Sequence, residues 1–104
     1  MREYPKQIKR QLRELNEKAH ENELNQELAK LALEFEAWKQ GRISGDELND
    51  LIHAFHHGPS RELFNRYTLR GNEHFAVAGA VVQGILRKED IPDEVWPYLQ
   101  DLII

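Results

Sequence analysis

Residues 74–86 read HFAVAGAVVQGIL, and this stretch decides the fold that the sequence predicts. Only His74 and Gln83 in it are polar, and a helix that is apolar on every side belongs in a protein interior. The stretch is too short to cross a bilayer, which takes about 20 apolar residues. It therefore predicts a buried central helix, covering about residues 73–87, with other helices packed around it.

The rest of the chain also carries helical signals. Apolar residues recur at spacings of three and four, and no segment alternates with the period of a strand. We predict an all-α protein, a compact helical bundle of five to six helices around the central helix. Since about 100 residues make one domain, residues 1–104 are expected to form a single helical domain, with residues 1–20 as a protruding or partner-binding N-terminal helix.

Glycine, proline and capping residues predict where the helices begin and end. Between Lys6 and Gln40 the chain has neither Gly nor Pro, so that whole span is compatible with helix. The expected boundary residues are Gly41 as a helix stop, Ser44 with Glu47 as a capping box, Gly58 with Pro59 as a second stop, Ser60 and Asn72 as N-caps, and Pro97 as a break near Trp96.

Two apolar stripes lie within residues 6–40. One comprises Ile8, Leu12, Leu15 and Ala19; the other, about 160° away around the helix axis, comprises Leu24, Leu28, Leu31, Phe35 and Trp38. The change of phase falls in residues 20–23, HENE. It favours a helix break there, with Asn22 as the next N-cap, over one long helix that shows opposite faces to two partners. If residues 6–40 instead form one helix, we expect the protein to oligomerise, because another subunit would be needed to cover the first stripe.

Composition excludes several classes of protein. There is no cysteine, so disulfides and thiolate chemistry are excluded. The net charge is −4, which argues against a nucleic-acid partner, although residues 1–18 carry six basic and three acidic side chains. The N-terminal residues lack the apolar core of a signal peptide and no run spans a membrane. We expect a cytoplasmic protein with no membrane association.

The leading functional hypothesis is a non-catalytic protein–protein interaction module that forms a homo-oligomer or binds another protein. An apolar C-terminus is rarely left in water. The residues expected to make the interface are Ile8, Leu12 and Leu15 in the first stripe, and Leu102, Ile103 and Ile104 at the C-terminus. No catalytic residue and no bound cofactor is assigned.

The first alternative is a divalent-metal protein or a metal-dependent hydrolase. Asp50, His53 and His57 have spacings of three and four, so a helix places a carboxylate and two imidazoles on one face, as in helical zinc or iron sites. His74 would supply a further ligand. The simpler interpretation is that these histidines are solvated near a helix C-terminus, where a positive charge is favoured.

The second alternative is a nucleic-acid or nucleotide binder that uses the basic N-terminal helix and an arginine patch. Arg61, Arg66 and Arg70 form this candidate anion site, and Arg66 and Arg70 are one helix turn apart. The simpler interpretation is that these arginines pair with nearby carboxylates.

Overall fold

A computed structural model describes residues 4–103, and the part it describes is helical, with no strand. The elements are α1 (Lys6–Lys39), α2 (Gly45–Phe55), a π-helix (His56–Ser60), α3 (Arg61–Thr68), α4 (Glu73–Val82), a 3₁₀-helix (Lys88–Asp90), α5 (Trp96–Leu99) and a last 3₁₀-helix (Gln100–Leu102). The all-α prediction is confirmed. The count of five to six helices is not, because four of these helices have eight or more residues and α5 is a single turn.

α1 runs without a break for 34 residues, so the predicted break at residues 20–23 is wrong. Polar residues of that segment instead contact residues from other parts of the chain, beside α1. His20 stacks on Tyr67 with ring centroids 5.3 Å apart, and the Asn22 side-chain amide donates to the carbonyl of Ile85 at 3.1 Å. The apolar stripe changes side because the packing partner of α1 changes along its length.

The two predicted signals around residues 41–47 are confirmed. Gly41 has φ of 76°, and the backbone N–H of Arg42 donates to the carbonyl of Ala37 at 2.9 Å, which closes α1 in the manner of a Schellman motif. Ser44 Oγ accepts from the N–H of Glu47, whose carboxylate accepts from the N–H of Ser44. This capping box begins α2.

The predicted stop at residues 58–59 is wrong, since α2 leads through the π-helix directly into α3. Pro59 lies inside that π-helix. A proline lacks the N–H that a regular helix needs, and a wider turn is one of the ways in which a helix absorbs it. Ser60 is helical and makes no side-chain cap, so it does not begin a new helix.

α4 contains the stretch on which the fold prediction was based. Val77, Ala78 and Ala80 are buried, whereas Phe75 and Val82 remain more than half exposed. The helix ends at Val82, and Gly84 turns the chain away with φ of 78°. The predicted helix over residues 73–87 is thus not confirmed in its length, since α4 ends at Val82. Its predicted burial on every side is not confirmed either, because one side of α4 faces solvent.

The main core surrounds the first half of α1, and we call this part of the molecule the head. Residues 6–23 pack against α3, α4 and the segment 85–103. The core comprises Ile8, Leu12, Leu15, Ala19, Leu63, Tyr67, Val77, Ala78, Ala80, Leu86, Ile91, Val95 and Leu99. Polar contacts tie the segment to α1: Lys18 Nζ lies 3.0 Å from Asp90 Oδ1 and Gln11 donates to Glu94 at 2.7 Å.

Beyond Leu24, which still packs against this core, the second half of α1 extends past it. All the buried residues of α1 lie between Ile8 and Glu23, and residues 24–39 pack chiefly against α2, whose only buried residue is Leu48. We call residues 24–55 the arm. It makes the molecule elongated, with extents of 54 × 24 × 23 Å and a radius of gyration of 17.2 Å, against about 13 Å for a compact domain of about 100 residues. The predicted compactness is thus not confirmed.

Among residues 4–103, no helix combines the length and the apolar character that crossing a membrane would require.

Candidate interaction surface

The second stripe of α1 forms an incompletely covered apolar face on the arm. Leu24 and Leu31 are half-buried, while Leu28, Phe35 and Trp38 keep 42%, 38% and 45% of their surface exposed. Their spacing of three and four puts them on one side of α1. Residues with such a pattern are normally buried, so this face lacks part of its covering.

α2 covers the stripe only in part. Leu48 is buried against α1, but Leu51 and Ile52 on the same helix remain 37% exposed each, and Phe55 is half-buried. Two packed helices enclose a single line of contact, and residues to either side of that line stay open to water unless a further layer is added. The arm is therefore a two-helix layer with apolar margins.

A shallow groove runs along the open side of the stripe. It has a volume of about 370 Å³ and is lined by Leu28, Leu31, Ala32, Phe35, Glu36 and Lys39. All six residues belong to α1. A groove lined by one helix is suited to the side chains of another helix rather than to a small molecule, which normally needs a deeper, more enclosed cavity.

The predicted interface residues lie elsewhere. Ile8, Leu12 and Leu15 are buried in the head, covered by the protein's own chain. At the C-terminus, Ile103 packs on the core and Leu102 is 36% exposed, while Ile104 lies outside the described residues. The stripe that is exposed is the second one, which the sequence did not single out. The sequence does contain a sign of this exposure: α2 has too few apolar residues to cover the five large apolar residues of the second stripe.

The predicted metal ligands are not assembled into one site. His53 and His57 stack at 6.4 Å between ring centroids on the exposed side of the α2 region. His74 instead contacts the ring of Tyr4, with centroids 5.4 Å apart. Within residues 4–103, no group of three or more His, Asp or Glu side chains is placed to hold a metal ion. Asp50, His53, His57 and His74 therefore do not form such a group.

The arginine patch is divided between three environments. Arg66 Nη1 lies 2.9 Å from Oε2 of Glu23, a carboxylate that is otherwise buried. Burial, followed by the charge of Glu23, raises the pKa of the neighbouring Tyr67. Arg61 is exposed at the start of α3. Arg70 lies in a cleft of the head and is described next.

This cleft lies between the start of α1 and the turn that joins α3 to α4. It has a volume of about 860 Å³, and its lining includes the cations Lys9, Arg13 and Arg70 beside the aromatic residues His74 and Phe75. None of the three cations is in an ion pair with another residue of the described chain. The sequence shows the basic N-terminal helix and Arg70 as separate features, and only the fold brings them to one cleft.

Comparisons with known proteins give no relative: no family model, no curated protein and no solved structure matches this chain.

Proposed function

We propose that this protein is a non-catalytic helical interaction module that self-associates through the arm. The observation that supports this proposal is the apolar face of the second stripe, where Leu28, Phe35 and Trp38 are each more than a third exposed on a two-helix layer. Contiguous apolar surface of this kind on a protein commonly marks an interaction site. The occupant that we propose is a second copy of the chain.

The size of the face supports a reversible dimer. Residues 24–39 of α1 span about 24 Å, and two helices side by side are about 20 Å wide, so each copy would contribute about 500 Å². The total of about 1,000 Å² is at the lower limit for a specific interface. We therefore expect a dissociation constant in the micromolar range. Two arms packed face to face would form a four-helix bundle, which supplies the layer that one arm lacks.

Two substitutions on opposite sides of α1 test the proposal. Leu28 is in the stripe, and Leu33 is 69% exposed about 180° away from Leu24 around the helix axis. Leu28→Glu should weaken the dimer at least tenfold, because it places a charge in the apolar interface of both copies. Leu33→Glu makes the same chemical change on the same helix and should leave the dimer intact.

Sedimentation velocity over a wide range of protein concentration measures both variants. A wild-type protein that stays monomeric throughout would refute self-association. Equal weakening by the two substitutions would refute the stripe as its site.

A second candidate function, binding of a nucleotide or another phosphorylated ligand, is favoured by the cleft in the head. The cleft holds three cations that make no ion pair, exposed Phe75, and one carboxylate, Glu73, which accepts from the N–H of Gly71. The excess of cations would recognise phosphate, and the aromatic ring offers a surface for a base. Calorimetric titration with ATP tests this. Arg70→Ala should reduce the affinity, and Arg61→Ala, outside the cleft, should not. Heat of dilution alone with the wild type would eliminate this candidate.

The cytoplasmic location and metal binding by the histidine face stay predictions from the sequence.

A further inference from the structure

Charged residues continue the apolar stripe at both of its ends. Taking Leu24 as zero and about 100° per residue, the stripe and its flanking charges share one sector about 80° wide on α1. Between residues 17 and 39 its members are Glu17, Glu21, Leu24, Leu28, Leu31, Phe35 and Lys39, and Trp38, the last residue of the stripe, lies about 20° outside it. Arg42 follows just beyond the end of α1, where its backbone N–H is held by the carbonyl of Ala37.

The charges at the two ends have opposite signs. Glu17 and Glu21 lie at the end next to the head, and Lys39 and Arg42 lie at the tip of the arm. All four are exposed, and none is in an ion pair within the described part of the chain. Within one molecule they cannot meet, because the 18 residues from Glu21 to Lys39 separate them by about 27 Å of helix.

The complementary residues share one midpoint along α1. The midpoint between Glu17 and Arg42 is 29.5, and the midpoint between Glu21 and Lys39 is 30. The apolar pairs Leu24 with Phe35 and Leu28 with Leu31 also have their midpoint at 29.5. A two-fold axis that crosses α1 at this point therefore brings these eight residues opposite complementary partners in a second copy.

Resting on the proposed self-association, we infer that the dimer is antiparallel, with its two-fold axis crossing α1 near residues 29–30. Leu24 of each copy packs on Phe35 of the other, and the tip of each arm lies against the acidic end of the other stripe. A two-fold interface is self-complementary, so each contact occurs twice. A parallel pair would instead put Glu21 opposite Glu21 and Lys39 opposite Lys39, and like charges opposed across an interface are unfavourable.

Charge reversal distinguishes these arrangements. In the antiparallel dimer, Glu17→Lys with Glu21→Lys opposes cations to cations at both ends, and should raise the dissociation constant at least about tenfold. Lys39→Glu with Arg42→Glu should do the same. All four changes together restore opposite charges and should return the constant to within about threefold of wild type. In a parallel dimer neither double variant would weaken association, because like charges already face each other there.

The mixture of the two double variants provides a second readout. One variant is acidic at both ends of the stripe and the other is basic at both ends, so an equimolar mixture should form heterodimers although each variant alone is largely monomeric. Lys88→Glu, an exposed charge reversal in the head, is the matched control and should change nothing.

Spin labels measure the orientation directly, since the chain has no native cysteine to remove. Ala29 and Gln40 are both exposed and lie within about 20° of each other around α1. In the antiparallel dimer, labels at Ala29→Cys are offset by only a few ångströms along the axis, whereas labels at Gln40→Cys are offset by about 30 Å. A parallel dimer gives the two positions the same separation.

The outcomes separate the two proposals. A wild-type monomer would overturn both. A wild-type dimer that loses affinity with Leu28→Glu, but shows no rescue by the fourfold reversal or equal label separations, would overturn the antiparallel arrangement alone.

Discussion

Removal of the Arg66 side chain should cost more stability than its exposure suggests. Arg66 is about half exposed, with 48% of its side chain accessible, but the Glu23 carboxylate that it pairs with keeps only 10%. Nη1 lies 2.9 Å and 3.3 Å from the two oxygens of that carboxylate. Arg66→Ala therefore leaves a charge in the interface between α1 and α3 without a counter-ion.

The difference in exposure between Arg66 and Glu23 sets the size of the loss of stability. A hydrogen bond to a charged group contributes about 1.5–3 kcal/mol, and solvent around half-exposed Arg66 places this contact near the lower end. We expect the free energy of unfolding to fall by about 1.5–2 kcal/mol, which lowers the melting temperature of a domain of this size by about 10 °C. Urea unfolding followed by circular dichroism, at one fixed protein concentration, measures the loss.

The double variant identifies its cause. If the stranded charge of Glu23 is responsible, Glu23→Gln in the Arg66→Ala background should recover part of the stability, because a neutral amide is less costly to leave without a partner. Arg61→Ala on the same helix is the control and should change stability by less than about 0.5 kcal/mol. A loss below that value for Arg66→Ala, or a further loss in the double variant, would refute the reasoning.

Two further predictions concern the head. Gly79 is exposed in α4, and a methyl group added there would meet no atom within 4 Å, whereas Gly84 has φ of 78°. Gly79→Ala should therefore stabilise the protein by about 0.5–1 kcal/mol, and Gly84→Ala should destabilise it by at least about 1 kcal/mol. Thermal unfolding measures both, and changes of the same sign would contradict this reasoning. The backbone N–H of Arg87 and the ammonium of Lys18 lower the pKa of Asp90 below its usual 3.8, so its contribution to stability is present above the unfolded-state pKa and is lost as the pH falls through the folded-state value. Asp90→Asn should lower the melting temperature at pH 7, and the difference from wild type should shrink as the pH falls through the folded-state pKa of Asp90. A difference that stays constant with falling pH would show another cause.

Signals that act within a few residues were the ones that predicted structure correctly. The capping box at Ser44 and the helix stop at Gly41 are satisfied by atoms that are close in sequence, so the local chemistry determines them. The local signals at Asn22, Pro59 and Ser60 failed. At Pro59 the reason is that a proline sets only its own φ and removes one donor. Whether the chain stops or widens into a π-helix depends on what α2 and α3 both pack against, and that is α1.

The distribution of buried surface could not be predicted, because it depends on contacts that are distant in sequence. The first stripe of α1 is covered by α3 and α4 together with segment 85–103, whose helical pieces are too short to show an apolar period. Nothing in that segment identifies Leu86, Ile91 or Val95 as members of the same core as Leu12. The sequence therefore predicts an interface at the first stripe and the C-terminus, whereas the structure covers the first stripe with the protein's own chain.

The change of phase within α1 links the fold to the proposed function. A helix with one continuous stripe can be covered by one layer, but two stripes about 160° apart need two layers on opposite sides. The head provides the first layer, with enough residues to bury Leu12 and Ala19 almost completely. α2 provides the second with 11 residues and buries none of the stripe fully. Because α1 is one continuous helix, the exposed stripe belongs to the same element that the head packs against. In the proposed dimer, a second copy would therefore dock on a surface that is already helical, which reduces the entropic cost of ordering it.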